Sequence, residues 1–309
     1  MIYKKRILFL GIPDMALVCL EACIKEGVNI VGVMGPKPTH NMYEYFKNFV
    51  NKKGLNFIEY SDLKSEDTIQ KLKKLHIDLG LVCSFNYKIP EAVLNTAKDG
   101  FINLHPSLLP LYKGGNPYSH VIINGETITG VTLHHMSKNF DEGDIILQKK
   151  CPITPEETMG TLFNRTNEIC VELMIPALQE YEERLLPHIP QENGNFAKAP
   201  NIKDSDTIID YSKSAIEIEH LIRGLNPFIL AITSFRNISI RVSKADITDK
   251  DFNRDAEFGT IVKITADRFW IKTAKGCIAP NVLQYGSYFL GDAEDFIKIV
   301  KPKIGEIFY

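Results

Sequence analysis

The chain has 309 residues, enough to bury one large core or two moderate ones. Its 36 Lys and Arg against 38 Asp and Glu leave a formal net charge of −2, which excludes a general attraction to nucleic acid or anionic membrane but permits a local basic patch. At 44% hydrophobic and 24% charged, the composition is that of an ordinary soluble globular protein. The six cysteines, Cys19, Cys23, Cys83, Cys151, Cys170 and Cys277, include no Cys-x-x-Cys pair and lie mostly in apolar runs. They are expected to pack as free thiols, and no metal is expected. The opening Met-Ile-Tyr-Lys-Lys-Arg leads into an apolar run too short for a secretory signal, and no run approaches bilayer-spanning length. A cytoplasmic location is the expectation.

In chain order, Arg6–Gly11 is a continuous apolar run, as in a buried parallel strand. Pro13-Asp14 opens a helix with Leu17, Leu20 and Ile24 at helical spacing, and Asn29–Met34 is a second strand. No Gly-x-Gly-x-x-Gly follows the first strand, so a nicotinamide reading lacks its phosphate loop. Gly35–Pro38 is a turn, Tyr43–Lys53 an amphipathic helix and Asn56–Tyr60 a short third strand. Ser65 caps a helix running through Ile69, Leu72 and Leu75, with Glu66 and Asp67 at the positive end of its dipole. Asp78–Cys83 is a fourth strand, followed by the loop Ser84–Pro90. This alternation predicts right-handed βαβ crossovers and a parallel sheet.

Phe101–Leu104 reads as the next strand, and Pro106 ends its ladder. Asn103 and His105, two apart, point to one side of the sheet. Pro117–Asn124 suits a short helix ended by Gly125, Thr127–His135 alternates polar and apolar residues, and Ile145–Lys149 returns as another strand. The adjacent His134 and His135 face opposite ways and are expected to be satisfied sheet histidines. Thr158–Tyr181 is a long helix burying Met159, Leu162, Ile169, Leu173 and Leu178. Pro187, Pro190, Asn193, Gly194, Asn195 and Pro200 mark a linker. Asp210–Arg223 then gives one helix. Short strands near Ala231–Phe235, Ile238–Val242, Gly259–Ile264, Phe269–Lys272 and Cys277–Val282 fit a small β-barrel of the oligonucleotide/oligosaccharide-binding (OB) type. No internal repeat is visible.

The stretch from Phe101 to Gln148 holds an amide, an imidazole and a carboxylate (Asn103, His105, Asp141) able to handle one proton and one developing oxyanion. Taken alone, Asn-x-His after a strand is more often structural than catalytic. Ser107 lacks a Gly-x-Ser-x-Gly elbow, which argues against a hydrolase triad.

The run Asn103-Leu-His105-Pro-Ser107-Leu-Leu-Pro110, followed by Asp141-x-Gly143-Asp144, closely resembles the 10-formyltetrahydrofolate-dependent formyltransferase family. Its members include methionyl-tRNA, glycinamide ribonucleotide and nucleotide-sugar formyltransferases. Arg223-x-Leu-Asn-Pro227 and Asn281-Val-Leu-Gln284 are similar to the family's accessory C-terminal domain, so the likeness covers nearly the whole chain. It implies a Rossmann-like parallel-sheet formyltransferase domain over residues 1–188, a linker over 189–203 and an OB-like β-barrel domain over 204–309. It implies 10-formyltetrahydrofolate as co-substrate and Asn103, His105 and Asp141 as the catalytic set. It further implies a folate surface from Phe85, Asn86, Tyr87, Ile89, Ser107, Leu108, Leu109, Pro110 and Asp144.

The acceptor is expected to be a small primary amine, with Tyr112, Lys113, Gly114 and Asn116 as candidate contacts. Methionyl-tRNA formyltransferases usually carry Arg-Gly-Ala-Ala-Pro where this chain has Lys113-Gly-Gly-Asn116-Pro117, and a longer basic insertion after the second strand. Residues 201–309 hold 15 Lys and Arg against 15 Asp and Glu, whereas tRNA needs clustered cations. The Gly125-Glu-Thr-x-Thr-Gly-Val-Thr-Leu-His run is similar to the domain that formylates UDP-4-amino-4-deoxy-arabinose. A nucleotide-linked amino sugar is therefore the favoured partner, methionyl-tRNA the alternative, and a non-catalytic folate-binding homologue the reading from another class. No membrane partner is expected, and a homodimer is among the assemblies the chain permits.

Overall fold

The structure is a computed structural model that describes residues 2–13 and 15–309. It divides into two compact units. The first gathers the residues up to Pro117, Ile128–Pro152 and Asn164–Lys198; the second gathers Tyr118–Thr127, Ile153–Phe163 and Ala199–Tyr309.

In chain order the elements are β1 (Ile7–Gly11), α1 (Met15–Glu26), β2 (Ile30–Met34), α2 (Tyr43–Lys52), α3 (Glu66–Lys73), β3 (Leu79–Cys83) and α4 (Glu91–Leu94). Then come β4 (Phe101–His105), α5 (Pro117–Ile123), β5 (Ile128–His135), β6 (Ile145–Pro152) and α6 (Met159–Glu183). The expected start of α1 at Pro13-Asp14 falls partly outside the described residues, because Asp14 is not among them. The first unit is built on a six-stranded sheet in the order β2-β1-β3-β4-β5-β6. β1 to β4 are parallel, but β5 runs antiparallel to both β4 and β6. The sheet is thus mixed rather than wholly parallel. The loop Met136–Asp144 is too short for the crossover of about a dozen residues that parallel pairing needs, so β5 and β6 form a hairpin.

β1 and β3 are buried along their whole length, as continuous apolar runs require. Leu8, Leu10, Val82 and Phe101 pack with Met34, Ile58, Tyr60, Leu72 and Val93. Cys23 Sγ lies 3.8 Å from Met174 Sδ and Cys170 Sγ 3.4 Å from Met15 Sδ, which marks the packing of α1 against α6. All six cysteines are free and buried. The expected stripe of α6, Met159, Leu162, Ile169, Leu173 and Leu178, is buried throughout. Asn56–Tyr60 forms no strand of its own: Phe57 makes one isolated parallel bridge to Val33. Ile58 and Tyr60 are instead held by burial, with the Tyr60 hydroxyl donating to Gly35 O at 2.9 Å.

The second unit continues with α7 (Ala215–Leu225), β7 (Ala231–Phe235), β8 (Ile238–Thr248), β9 (Ile261–Ile264), β10 (Phe269–Lys272), β11 (Cys277–Tyr285), β12 (Phe289–Asp292) and α8 (Ala293–Val300). α7 starts at 215 rather than 210. The Asp210 carboxylate accepts from Ser212 N and Oγ in a local turn, and Ser214 with Glu217 forms a capping box. The antiparallel order β7-β8-β11-β10-β9 is closed by the C-terminal residues. Ile307 bridges to Thr260 and Phe308 to Phe235, so the tail lies between the two edge strands and makes a barrel. Phe235, Phe269, Phe296 and Phe308 fill it, with Phe235 and Phe308 stacked at 4.6 Å. β12 and α8 were not foreseen, because Phe289-Leu-Gly-Asp292 carries turn residues without alternation. Among the described residues, no helix is long and apolar enough to cross a membrane.

Candidate active site

β4 pairs with β5 so that Asn103 lies opposite His134, and His105 opposite Thr132. Directly paired residues share a face of the sheet, so two strands present four polar side chains together. His134 Nδ1 is 2.8 Å from His135 O. A carbonyl only accepts, so Nδ1 carries the hydrogen and Nε2 keeps its lone pair. Asn103 Nδ2, 3.1 Å away, donates to that Nε2. Burial pushes the His134 imidazole down to about 4, which the nearby Asp141 opposes and His105 reinforces. At neutral pH His134 is therefore an uncharged acceptor that fixes the orientation of the Asn103 amide.

His105 is 4% exposed, and its Nε2 donates to Tyr112 O at 2.9 Å. In the neutral ring the free lone pair is then on Nδ1, which faces Asp141 Oδ2 at 3.6 Å. The Asp141 carboxylate also accepts from Gly114 N at 3.0 Å, and its Oδ1 lies 3.7 Å from His134 Nε2. Asp141 sits at φ +55, in the left-handed region that Asp tolerates better than most residues. The turn beyond it requires Gly143, where a Cβ would stand 1.8 Å from His135 O. The structure thus brings Asn103, His105 and Asp141 together.

Beside them opens a pocket with about 500 Å³ of empty space, its solvent mouth included. Asn103, His134 and Asp141 form its polar wall, while Phe85, Tyr87, Ile89 and Met136 form an apolar one. The Phe85 and Tyr87 rings meet edge to face at 5.2 Å. A larger cavity of about 920 Å³ lies in the second unit, but its charged groups are already engaged. Arg223 there pairs with Glu219, and Asp246 with Arg268. The smaller pocket is therefore the candidate site. Among the described residues, no cluster of three or more His, Cys, Asp or Glu is arranged to hold a metal ion.

The other expected contacts divide. Phe85, Tyr87 and Ile89 line the pocket; Asn86, in the same loop, does not. Ser107 is fully buried, and its Oγ donates to Leu111 O at 2.7 Å. Thr132 Oγ1 donates to Ser107 O and accepts from Leu109 N, and Gln148 Nε2 donates to Leu109 O. These bonds hold the Ser107–Pro110 loop in shape from behind, and Leu108 packs over Gly130; none of the four residues lines the pocket. The Asp144 carboxylate turns away to His188 Nδ1 at 3.2 Å. Of the acceptor candidates, Tyr112 is 4% exposed, so it offers its carbonyl to His105 rather than an aromatic face to a ligand. Gly114 serves through its N–H on Asp141, Lys113 bridges to Lys198, and Asn116 is half-buried. Sequence reasoning missed two residues. His134 was satisfied, as expected, but the antiparallel pairing that sets it against Asn103 carried no local sign. Gln191, within the linker composition, donates to Asp141 O and Gly143 O.

The formyl transferase family pattern matches residues 5–178, and that of the formyl transferase C-terminal domain matches residues 201–300. A methionyl-tRNA formyltransferase of Clostridioides difficile is 35% identical over 285 residues, 90% of this chain and 92% of that protein. One from Thermotoga maritima is 32% identical, covering 91% and 90%. Among solved structures, the sugar 3N-formyl transferase WlaRD superposes with a TM-score of 0.69 at 20% identity, covering 93% of this chain and all of that one. The N-formyltransferase of Helicobacter canadensis, solved with folinic acid and dTDP-3-aminofucose, gives 0.67 at 19% identity, covering 92% and 100%. These two share the fold. Matched through both of its parts and over nine tenths of its length, the chain belongs to the formyl transferase family, enzymes whose one-carbon donor is 10-formyltetrahydrofolate.

Proposed function

We propose that this enzyme formylates the primary amine of a nucleotide-linked amino sugar, with Asn103, His105 and Asp141 as its catalytic residues. The carrying observation is the Asn103–His134 hydrogen bond beside the His105–Asp141 pair. One N–H of the Asn103 amide is held by a neutral imidazole, and the other has no partner among the described residues and stands in the pocket wall. The apolar wall of Phe85, Tyr87, Ile89 and Met136 suits a flat heteroaromatic ring, and the polar wall suits its reactive edge. The bound donor supplies the formyl carbon. The free Asn103 N–H donates to the formyl oxygen as negative charge develops there, an effect worth about 2.7–4 kcal/mol in comparable sites. His105 Nδ1 takes the proton of the attacking amine, because Nε2 is committed to Tyr112 O. Asp141 stabilises the resulting imidazolium through opposite charge at close range, and as the bond from the formyl carbon to N10 breaks the imidazolium returns that proton to the departing N10 of tetrahydrofolate.

For the acceptor, Lys113-Gly-Gly-Asn116 stands where a tRNA enzyme usually has Arg-Gly-Ala-Ala, and residues 201–309 carry no cationic surplus for phosphate contacts. The sugar N-formyltransferases that share the fold are consistent with this reading. The second reading, methionyl-tRNA, is favoured by the names of the sequence relatives. Incubation with 10-formyltetrahydrofolate and either dTDP- and UDP-amino sugars or methionyl-tRNA tests the choice. Turnover of a sugar nucleotide is expected; formylated tRNA with every sugar untouched would reverse it. Failure of Asn103→Ala and His105→Ala to lower transfer would remove the assigned roles.

A further inference from the structure

The Pro- and Asn-rich segment that reads as a linker is tied along its length to the loops around the candidate site. Ile189 exchanges both backbone hydrogen bonds with Ile145, at 2.7 and 3.0 Å. The His188 ring stacks on His135 at 3.7 Å between centroids. Tyr112 N donates to Ala197 O at 2.6 Å, and Lys113 bridges to Lys198. Between these ties, Gln191 Nε2 donates to Asp141 O and to Gly143 O, each at 2.8 Å.

We propose that Gln191 is a positioning residue for the Asp141 carboxylate, so that the linker segment acts as a strap on the active site. This inference rests on the role given to Asp141 above. A non-glycine residue at φ +55 persists only where its surroundings over-determine it. Here one amide nitrogen draws the two carbonyls that bracket the turn onto a single point, fixing both peptide planes. The Gln191 amide has one usable orientation. Among the described residues its buried Oε1 has no partner, and a flipped amide would set that oxygen against both carbonyls. The backbone held in this way carries the carboxylate that accepts from Gly114 N and faces His105 Nδ1. Without the donor, the two carbonyls repel, the turn relaxes, and the carboxylate leaves its position beside the imidazole.

The test is Gln191→Met in the full-length enzyme, a change that keeps side-chain length and removes the donor. With 10-formyltetrahydrofolate and the acceptor that turns over, kcat should fall about 10- to 100-fold, the scale of a displacement near 1 Å. KM for 10-formyltetrahydrofolate and calorimetric affinity for 5-formyltetrahydrofolate should stay within about twofold, because Gln191 does not line the pocket. The Gly114 amide proton should shift in the NMR spectrum as its carboxylate acceptor moves. Added to Asp141→Asn, the substitution should cost nothing further, since it acts through that carboxylate. A normal kcat with an unmoved Gly114 resonance would overturn the inference, as would a loss that adds in full to Asp141→Asn. Should Gln191→Met fail to fold, Gln191→Glu sets a carboxylate against the same carbonyls in an isosteric frame; wild-type turnover there at neutral pH likewise overturns it. Full activity of Asp141→Asn itself would instead sink the proposed catalytic roles.

Discussion

The end of β4 and the turn at Asp141 bring their charges to the same place by different means. Asn103 and His105 stand on a strand hydrogen-bonded on both sides, to β3 and β5, where sheet geometry sets the side-chain direction. Asp141 stands in a left-handed turn whose carbonyls are gathered by a side chain 50 residues further along the chain. A strand end tolerates loss of a neighbouring side chain because its backbone is fixed by the ladder. A turn of this kind has no ladder, so its geometry is only as firm as the few groups that hold it.

The largest effect should come from the strand. Asn103→Ala removes the amide proposed to donate to the formyl oxygen, and kcat should fall about 10²–10³-fold; the buried His134 Nε2, left without its donor, should also lower stability by about 1 kcal/mol or more. Next comes the turn. Gly143→Ala forces a Cβ to 1.8 Å from His135 O, so the turn must shift; kcat should fall about 10²-fold with folate affinity nearly kept. A Gly143→Ala enzyme with normal turnover would show that the turn is firmer than its backbone suggests.

His134 links the two regions and makes a pH prediction. Its folded-state titration lies near 4, below the ordinary 6.5, so the unfolded chain binds more protons between those values. Stability therefore falls as pH drops from about 6.5 towards 4, by an amount on the order of 1–3 kcal/mol. His134→Gln should flatten that part of the melting-temperature profile, and kcat should fall roughly tenfold as the Asn103 amide loses its orientation. An unchanged profile would mean that His134 is not the buried neutral group the geometry describes. The smallest effect on turnover belongs to Ser107→Ala. Losing the bond to Leu111 O should cost about 1 kcal/mol of stability and change kcat by less than about fivefold. A loss of several orders of magnitude would restore Ser107 as a nucleophile.

What could be read without the structure was what depends on neighbours along the chain. The unbroken apolar runs of β1 and β3, the helical stripe of α6 and the two-residue spacing of Asn103 and His105 are consequences of local periodicity. Local hydrogen bonding misled where it competed with periodicity, as at Asp210, whose carboxylate bonds Ser212 and delays α7 to residue 215. Asn56–Tyr60 read as a short third strand, but among the described residues its one bridge to β2 joins Phe57 to Val33.

By itself, then, the sequence determined most of the strands and helices, though not β12, α8 or the fate of Asn56–Tyr60, and through the Asn103–Pro110 and Asp141–Asp144 runs it pointed to a formyl transferase. Only the tertiary structure decided that β5 turns back antiparallel, setting His134 against Asn103. It also decided that the tail from Ile307 closes the barrel of the second unit and that Gln191 reaches the Asp141 turn. The physical reason is common to all three. Register, closure and a long-range side-chain bond each depend on which distant segment arrives alongside, and no short window of residues encodes that.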